Sequence, residues 1–225
     1  MIVDERIVSY INSLNTSDDE IVEIIEKEAR SAGVPIIRSE TKEWIRTMLL
    51  ITKPKRVLEV GTAVGYSAIF MSRYLSEDAH IDTIEKWKPR VEQAIINFER
   101  AGVSDRITLL EGDAADILME LVEDNDDGDN GYDFIFMDAA KGQYINFLPN
   151  IIRLLNDNGV LISDNVLQDG EILDSKFVVE RRNRTIHGRM REYLYELKHN
   201  EYLDTSIIPL GDGIALSVKQ YIKND

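Results

Sequence analysis

Cysteine is absent from the 225 residues, which removes a disulfide framework, a thiolate metal site and a cysteine nucleophile. Long apolar runs are absent too. No stretch approaches the ~20 residues that a membrane span requires. The opening residues, MIVDERIVSYINSL, lack the basic start and unbroken apolar block of a signal peptide. A cytoplasmic location is therefore expected, with no membrane partner. Cationic charge is in short supply, with 26 Lys and Arg against 41 Asp and Glu and a net charge of -15. Taken globally, that balance repels nucleic acid and anionic lipid, although an average can hide a local basic patch.

What remains is an ordinary globular composition, 44% hydrophobic and 30% charged, in a chain of the length expected for one domain with a full core. Residues 18–32 space Ile21, Ile24, Ile25 and Ala29 at helical intervals and finish at Gly33, a common end to a helix. A second amphipathic pattern runs through Trp44, Ile45, Met48 and Leu49 and stops at TKPK, where proline cannot continue it. Residues 1–53 thus read as a helical N-terminal segment. From 54 to 225, short apolar runs alternate with helical stretches: RVLEV, IDTIE, ITLLEGD, YDFIFMD and GVLISDN. Repeated βα units of this kind make a doubly wound, Rossmann-like α/β fold. Two last runs around Asp212-Gly213 predict a tight antiparallel hairpin, so seven strands are expected, most of them parallel. The acidic stretch LVEDNDDGDNGYD fails as a calcium loop, since a start at Asp124 puts Asp129 where glycine is required and Ile135 where the final glutamate belongs. It reads as a solvated loop.

Glu59, Glu85, Asp113, Asp138 and Asp164 stand at or just beyond the ends of five successive apolar runs, 25 to 28 residues apart. In an open parallel sheet the carboxyl ends of the strands form the rim where ligands bind. Any one of these acids can equally be a helix cap; five in step point to a site. The first turn, EVGTAVGYSA, has the spacing G-x-x-x-G and lacks the G-x-G-x-x-G that cradles a pyrophosphate. Glu85 suits the two hydroxyls of a ribose. A nucleoside-like cofactor without a diphosphate follows, which favours methyl transfer over hydride transfer.

VLEVGTAVGYSA, TIE, EGDA, FIFMDAAKGQY and LISDNVL together resemble the class I S-adenosylmethionine-dependent methyltransferases. More narrowly, they resemble the metal-dependent O-methyltransferases that include catechol and caffeoyl-CoA enzymes. The resemblance implies that Gly61 and Ser67 line the methionine end of the cofactor. Glu85 would hold the ribose, Asp113 and Ala114 would contact the adenine, and the backbone at Ile37 would close over it. Asp138, Asp164 and Asn165 would bind the metal, with Asp138 also facing the cofactor, and Lys141 would stand near the reacting hydroxyl. Read from the residues alone, two carboxylates and an amide oxygen form a hard oxygen site that suits Mg2+, with Mn2+ or Ca2+ as alternatives. Lys141 there is a candidate general base or orienting group.

The segment KFVVERRNRTIHGRMREYLYELK is the basic exception. Ile186, Met190, Leu194 and Leu197 trace an apolar stripe, and Arg181, Arg182, Arg184, Arg189 and Arg191 cluster beside it. Arginines covering a core explain this; so does a phosphate-binding patch. A resemblance to bacterial tRNA 5-hydroxyuridine methyltransferases favours the patch and implies an anticodon-loop tRNA as partner, whose 5-oxygen and 4-carbonyl are vicinal. Methylation of a small catechol-like acceptor and a non-catalytic cofactor- or RNA-binding module are the alternatives. A homodimer through the N-terminal helices is expected by the same resemblance.

Overall fold

The computed structural model describes residues 3–17, 19–125, 130–175 and 177–221. Asp18, Lys176 and most of the acidic loop, 126–129, lie outside the described residues. In chain order the elements are α1 (Glu5–Ser13), α2 (Glu20–Ser31), α3 (Ser39–Thr52), β1 (Arg56–Val60), α4 (Tyr66–Ser72), β2 (His80–Glu85), α5 (Lys88–Ala101) and β3 (Ile107–Glu111). They continue with α6 (Ala114–Asp124), β4 (Tyr132–Met137), α7 (Tyr144–Leu154), β5 (Leu155–Ser163), α8 (Arg184–His199), β6 (Leu203–Ile208) and β7 (Ile214–Lys219).

The seven strands form a mixed sheet in the order β3-β2-β1-β4-β5-β7-β6. β1 pairs with β2, β2 with β3, and β4 with β5, all parallel; β7 runs antiparallel to both β5 and β6. The expected Rossmann-like sheet with an antiparallel finish is therefore what forms. Among the described residues, no helix is long and apolar enough to cross a membrane.

Two compact units divide the chain, Glu5–Ile117 and Leu118–Asp225 with Met1–Asp4. In the first, α2 starts because the Asp19 carboxylate accepts the Val22 N–H at 2.9 Å, a cap worth about 1 kcal/mol. It buries Val22, Ile25 and Ala29, and closes where Val34 N–H returns to the Ala29 carbonyl at 2.9 Å. α3 stops at Lys53, in the left-handed region ahead of Pro54. Val57, Leu58 and Val60 of β1 are wholly buried, as a strand covered on both faces must be, which is why it reads as a continuous apolar run. Glu59 differs from expectation. It lies inside β1, fully buried, and accepts a hydrogen bond from the Thr83 hydroxyl at 2.5 Å, so the row of rim acids loses its first member.

In the second unit, Phe134, Ile135, Phe136 and Met137 of β4 are also buried. β5 begins at Leu155, earlier than its apolar run. The terminal strands β6 and β7 are joined by residues 209–213 rather than by a two-residue turn. That connection folds on itself through Leu210 N–H to Ile208 C=O and Gly213 N–H to Leu210 C=O. The arginine-rich helix begins only at Arg184, and its buried stripe is His187, Met190, Tyr193 and Leu197. Ile186 is 36% exposed, one position off that face. Tyr193 enters the core because its hydroxyl finds Ser163 at 2.5 Å.

Candidate functional site

The first unit builds a turn for a ligand. Gly61 and Thr62 N–H groups both point to the Ile84 carbonyl, at 3.1 and 3.0 Å, so the chain leaves β1 hooked onto the end of β2. Thr62 and Thr83 hydroxyls meet at 2.6 Å, continuing the buried Thr83–Glu59 contact beneath the turn. Asn97 of α5 donates to the Val64 carbonyl at 2.8 Å. Gly65 has φ +82, and a Cβ there would lie 2.5 Å from the Phe98 ring; no side chain fits. Ser67 follows in the first turn of α4, buried, and the Tyr66 hydroxyl donates to Glu26 at 2.7 Å.

Glu85 ends β2 beside this turn. Its carboxylate accepts Ala63 N–H at 3.0 Å on one oxygen, and Lys86 and Trp87 N–H groups at 2.9 Å on the other. Asp113 lies just past β3, whose Glu111 pairs with Glu85. It accepts Ala115 N–H at 3.0 Å and a Lys86 ammonium hydrogen bond at 3.2 Å. Those two contacts, the backbone one foremost, hold its carboxyl below the usual range. Asp113 thus caps α6, which starts at Ala114, while standing at the strand end where a cofactor would lie. Ile37 is buried ahead of α3. Gly61, Ser67, Glu85, Asp113 and Ala114 all fall within one unit.

The second unit brings the metal candidates together by register. Met137 of β4 pairs with Ser163 of β5, so the next residues, Asp138 and Asp164, leave adjacent strand ends side by side. Asp164 N–H bonds the Met137 carbonyl at 3.0 Å, and its carboxylate accepts Asn165 N–H at 2.7 Å. Asp164 is buried and Asp138 half-buried. Burial pushes both carboxyls well above the usual range, the charge of Asp138 pushes Asp164 further, and Lys141 pulls both down. Two acids that resist ionising together, with one lysine near, lack positive charge. The donor set therefore suits a divalent cation.

Among the described residues, no cluster of three or more His, Cys, Asp or Glu side chains is poised to hold a metal. Asn165, the expected third ligand, sits in the left-handed region at φ 58, a conformation asparagine tolerates. Its loop is pinned to the β6–β7 connection: Val166 N–H donates to Gly213 C=O and Leu167 N–H to Asp212 C=O, both at 2.9 Å. Asp212 is the site residue that the sequence reading missed. Its charge also raises Asp164, yet Asp-Gly before a strand carries only a turn signal.

Three of the five candidate RNA-binding arginines spend donors inside the fold. Arg184 reaches the Val179 and Phe177 carbonyls at 3.1 and 3.2 Å, Arg189 the Gly142 carbonyl at 3.0 Å, and Arg191 the Ile172 carbonyl at 3.0 Å. Arg182 is exposed and pairs with Glu180 at 2.8 Å; Arg181 is exposed. These bonds tie the segment to neighbouring loops, while Arg181, Arg182, Arg184 and Arg191 stay exposed.

A family model described as O-methyltransferase matches residues 13–220. The chain is 28% identical over 221 residues to a catechol O-methyltransferase from Niastella koreensis, covering 95% of this chain and 96% of that one. It is 30% identical over 176 residues to a caffeoyl-CoA O-methyltransferase from Citrus natsudaidai, covering 78% and 75%. A methyltransferase from Geobacter sulfurreducens superposes with a TM-score of 0.76 at 25% identity, covering 97% of this chain and 100% of that one. An O-methyltransferase from Bacillus cereus in complex with SAH shares the fold with a TM-score of 0.82 at 23% identity, covering 94% and 96%.

Proposed function

Since the chain belongs to the O-methyltransferase family, S-adenosylmethionine-dependent enzymes, we propose that it methylates one of two vicinal oxygens on a small, catechol-like molecule. The observation that carries this reading is the pairing of Asp138 and Asp164 on adjacent strand ends with Asn165 and Lys141 beside them. Asp138, Asp164 and Asn165 would hold Mg2+, with Mn2+ or Ca2+ suited to the same oxygens. Such an ion supplies charge that lowers the pKa of a hydroxyl it meets. Lys141 would take or orient the hydroxyl proton. S-adenosylmethionine, when bound, would supply the methyl group, its S–C bond breaking as the O–C bond of the methyl ether forms, with S-adenosylhomocysteine as the leaving product. In the other unit, Glu85 would accept the ribose hydroxyls, Asp113 and Ala114 would meet the adenine, Gly61 and Ser67 the methionine end, and Ile37 would cover it.

The relatives' names support a small acceptor. The tRNA wobble base, 5-hydroxyuridine, has less behind it: its support is the exposed Arg181, Arg182, Arg184 and Arg191, with no relative named above to join them. A second copy of the chain has a candidate surface along α1 and the residue after it, where Ile7, Tyr10, Ile11 and Leu14 are exposed; sedimentation of an Ile11→Asp variant tests it, and an unchanged dimer would refute it.

Incubation with labelled S-adenosylmethionine, Mg2+ and either a catechol panel or hypomodified bacterial tRNA tests the acceptor. Label in a catechol is expected. Label in tRNA alone would replace this reading with the tRNA one, and no transfer despite cofactor binding would leave a binding module.

A further inference from the structure

We infer that Tyr144 is a positioning residue for the acidic pair, one phenolic hydroxyl fixing the backbone just before Asp138 and at Asp164. The inference rests on the metal reading above. Tyr144 opens α7 and is fully buried. Its hydroxyl lies 3.0 Å from the Met137 carbonyl and 3.3 Å from the Asp164 carbonyl, its one proton shared between them. A buried tyrosine with a satisfied hydroxyl is ordinary core furniture. Here, however, both backbone partners lie at or next to the two carboxylates proposed to hold one ion.

The ring is held in its turn. Tyr193 packs edge-on against it, with centroids 5.5 Å apart, and the Tyr193 hydroxyl meets the Ser163 side chain at 2.5 Å. Two aromatic side chains from α7 and α8 therefore back the ends of β4 and β5. The consequence is preorganisation. Two like charges pushed together tend to splay their loops before a cation arrives, and a neutral buried donor that bonds both strand ends opposes this without adding charge. Outer groups of this kind set metal affinity more than they set fold stability.

Tyr144→Phe keeps the ring and deletes only the oxygen. The reading expects the variant's Mn2+ affinity, measured by calorimetry, to fall about tenfold or more, while S-adenosylmethionine affinity stays within about twofold. Tyr193→Phe loses an equally buried hydroxyl that bonds a side chain rather than the flanking backbone; it is expected to lower Tm and keep Mn2+ affinity. A Tyr144→Phe protein with lowered Tm but wild-type Mn2+ affinity would overturn the inference and leave the metal reading standing. Wild-type protein that binds Mn2+ no better than Asp164→Asn would overturn the metal reading itself.

Discussion

Replacing Asp164 by Asn separates what the acidic pair costs from what it binds. In the metal-free protein, burial raises Asp164 and Asp138 above the range they have in the unfolded chain. The folded state then holds more protons than the unfolded one at pH values between the two ranges, so stability falls as pH rises through that window. Each unit of such a shift is about 1.4 kcal/mol. For a chain of 225 residues, 1 kcal/mol moves Tm by about 2–4 °C, so even one unit predicts a loss of about 3–6 °C between pH 5 and pH 8 without metal. Asp164→Asn keeps an oxygen to accept the Asn165 N–H and removes one charge. It is expected to melt higher than wild type at pH 8 and to flatten the pH slope. Mg2+ at a hundred times its Kd adds about 2.7 kcal/mol to whatever binds it, or about 5–11 °C here, and should do so for wild type only. Scanning calorimetry at pH 5 and 8, with Mg2+ or chelator, reads all four quantities. A variant that melts lower at pH 8 in chelator, and that Mg2+ stabilises as much as wild type, would refute the reasoning.

Three further outcomes are expected. Gly65→Ala forces a left-handed alanine against Phe98 and should cost about 2–5 kcal/mol, with weaker S-adenosylmethionine binding in calorimetry; an unchanged Tm contradicts it. Gly213→Ala puts a Cβ 2.3 Å from Leu167 and loosens the hold on the loop carrying Asn165, so Mn2+ affinity should fall by more than cofactor affinity does, and equal losses would argue against the pinned loop. Lys141→Met should lower kcat by about 10²–10⁴ with cofactor affinity retained; a kcat within threefold of wild type would remove Lys141 from the chemistry.

The strands were legible because buried parallel strands need unbroken apolar runs, and the end of each run stands out when an acid follows. Asp138 and Asp164 were legible for the same reason, since both leave strands that pair in register. Glu59 was misread because an acid inside a strand and one at its end look alike until the register is known; the Thr83 hydroxyl meets it there. Tyr144 closes the FIFMDAAKGQY motif, yet nothing in the pattern pointed from it to the strand ends, because a tyrosine on the buried face of an amphipathic helix is indistinguishable from core. The internal partners of Arg184, Arg189 and Arg191 were not legible for a complementary reason: they are the backbone carbonyls of Phe177, Val179, Gly142 and Ile172, and a carbonyl has no letter in the sequence.

Glu85 carries a consequence for turnover. Its carboxylate already receives three backbone N–H groups, out of about four acceptor positions such a group offers. A diol that binds there enters largely by exchange, displacing or sharing contacts instead of adding them, so the net hydrogen-bond gain is small. A nucleoside held there, as proposed, would then draw most of its affinity from other contacts, and on leaving it would release a group that re-forms its own bonds.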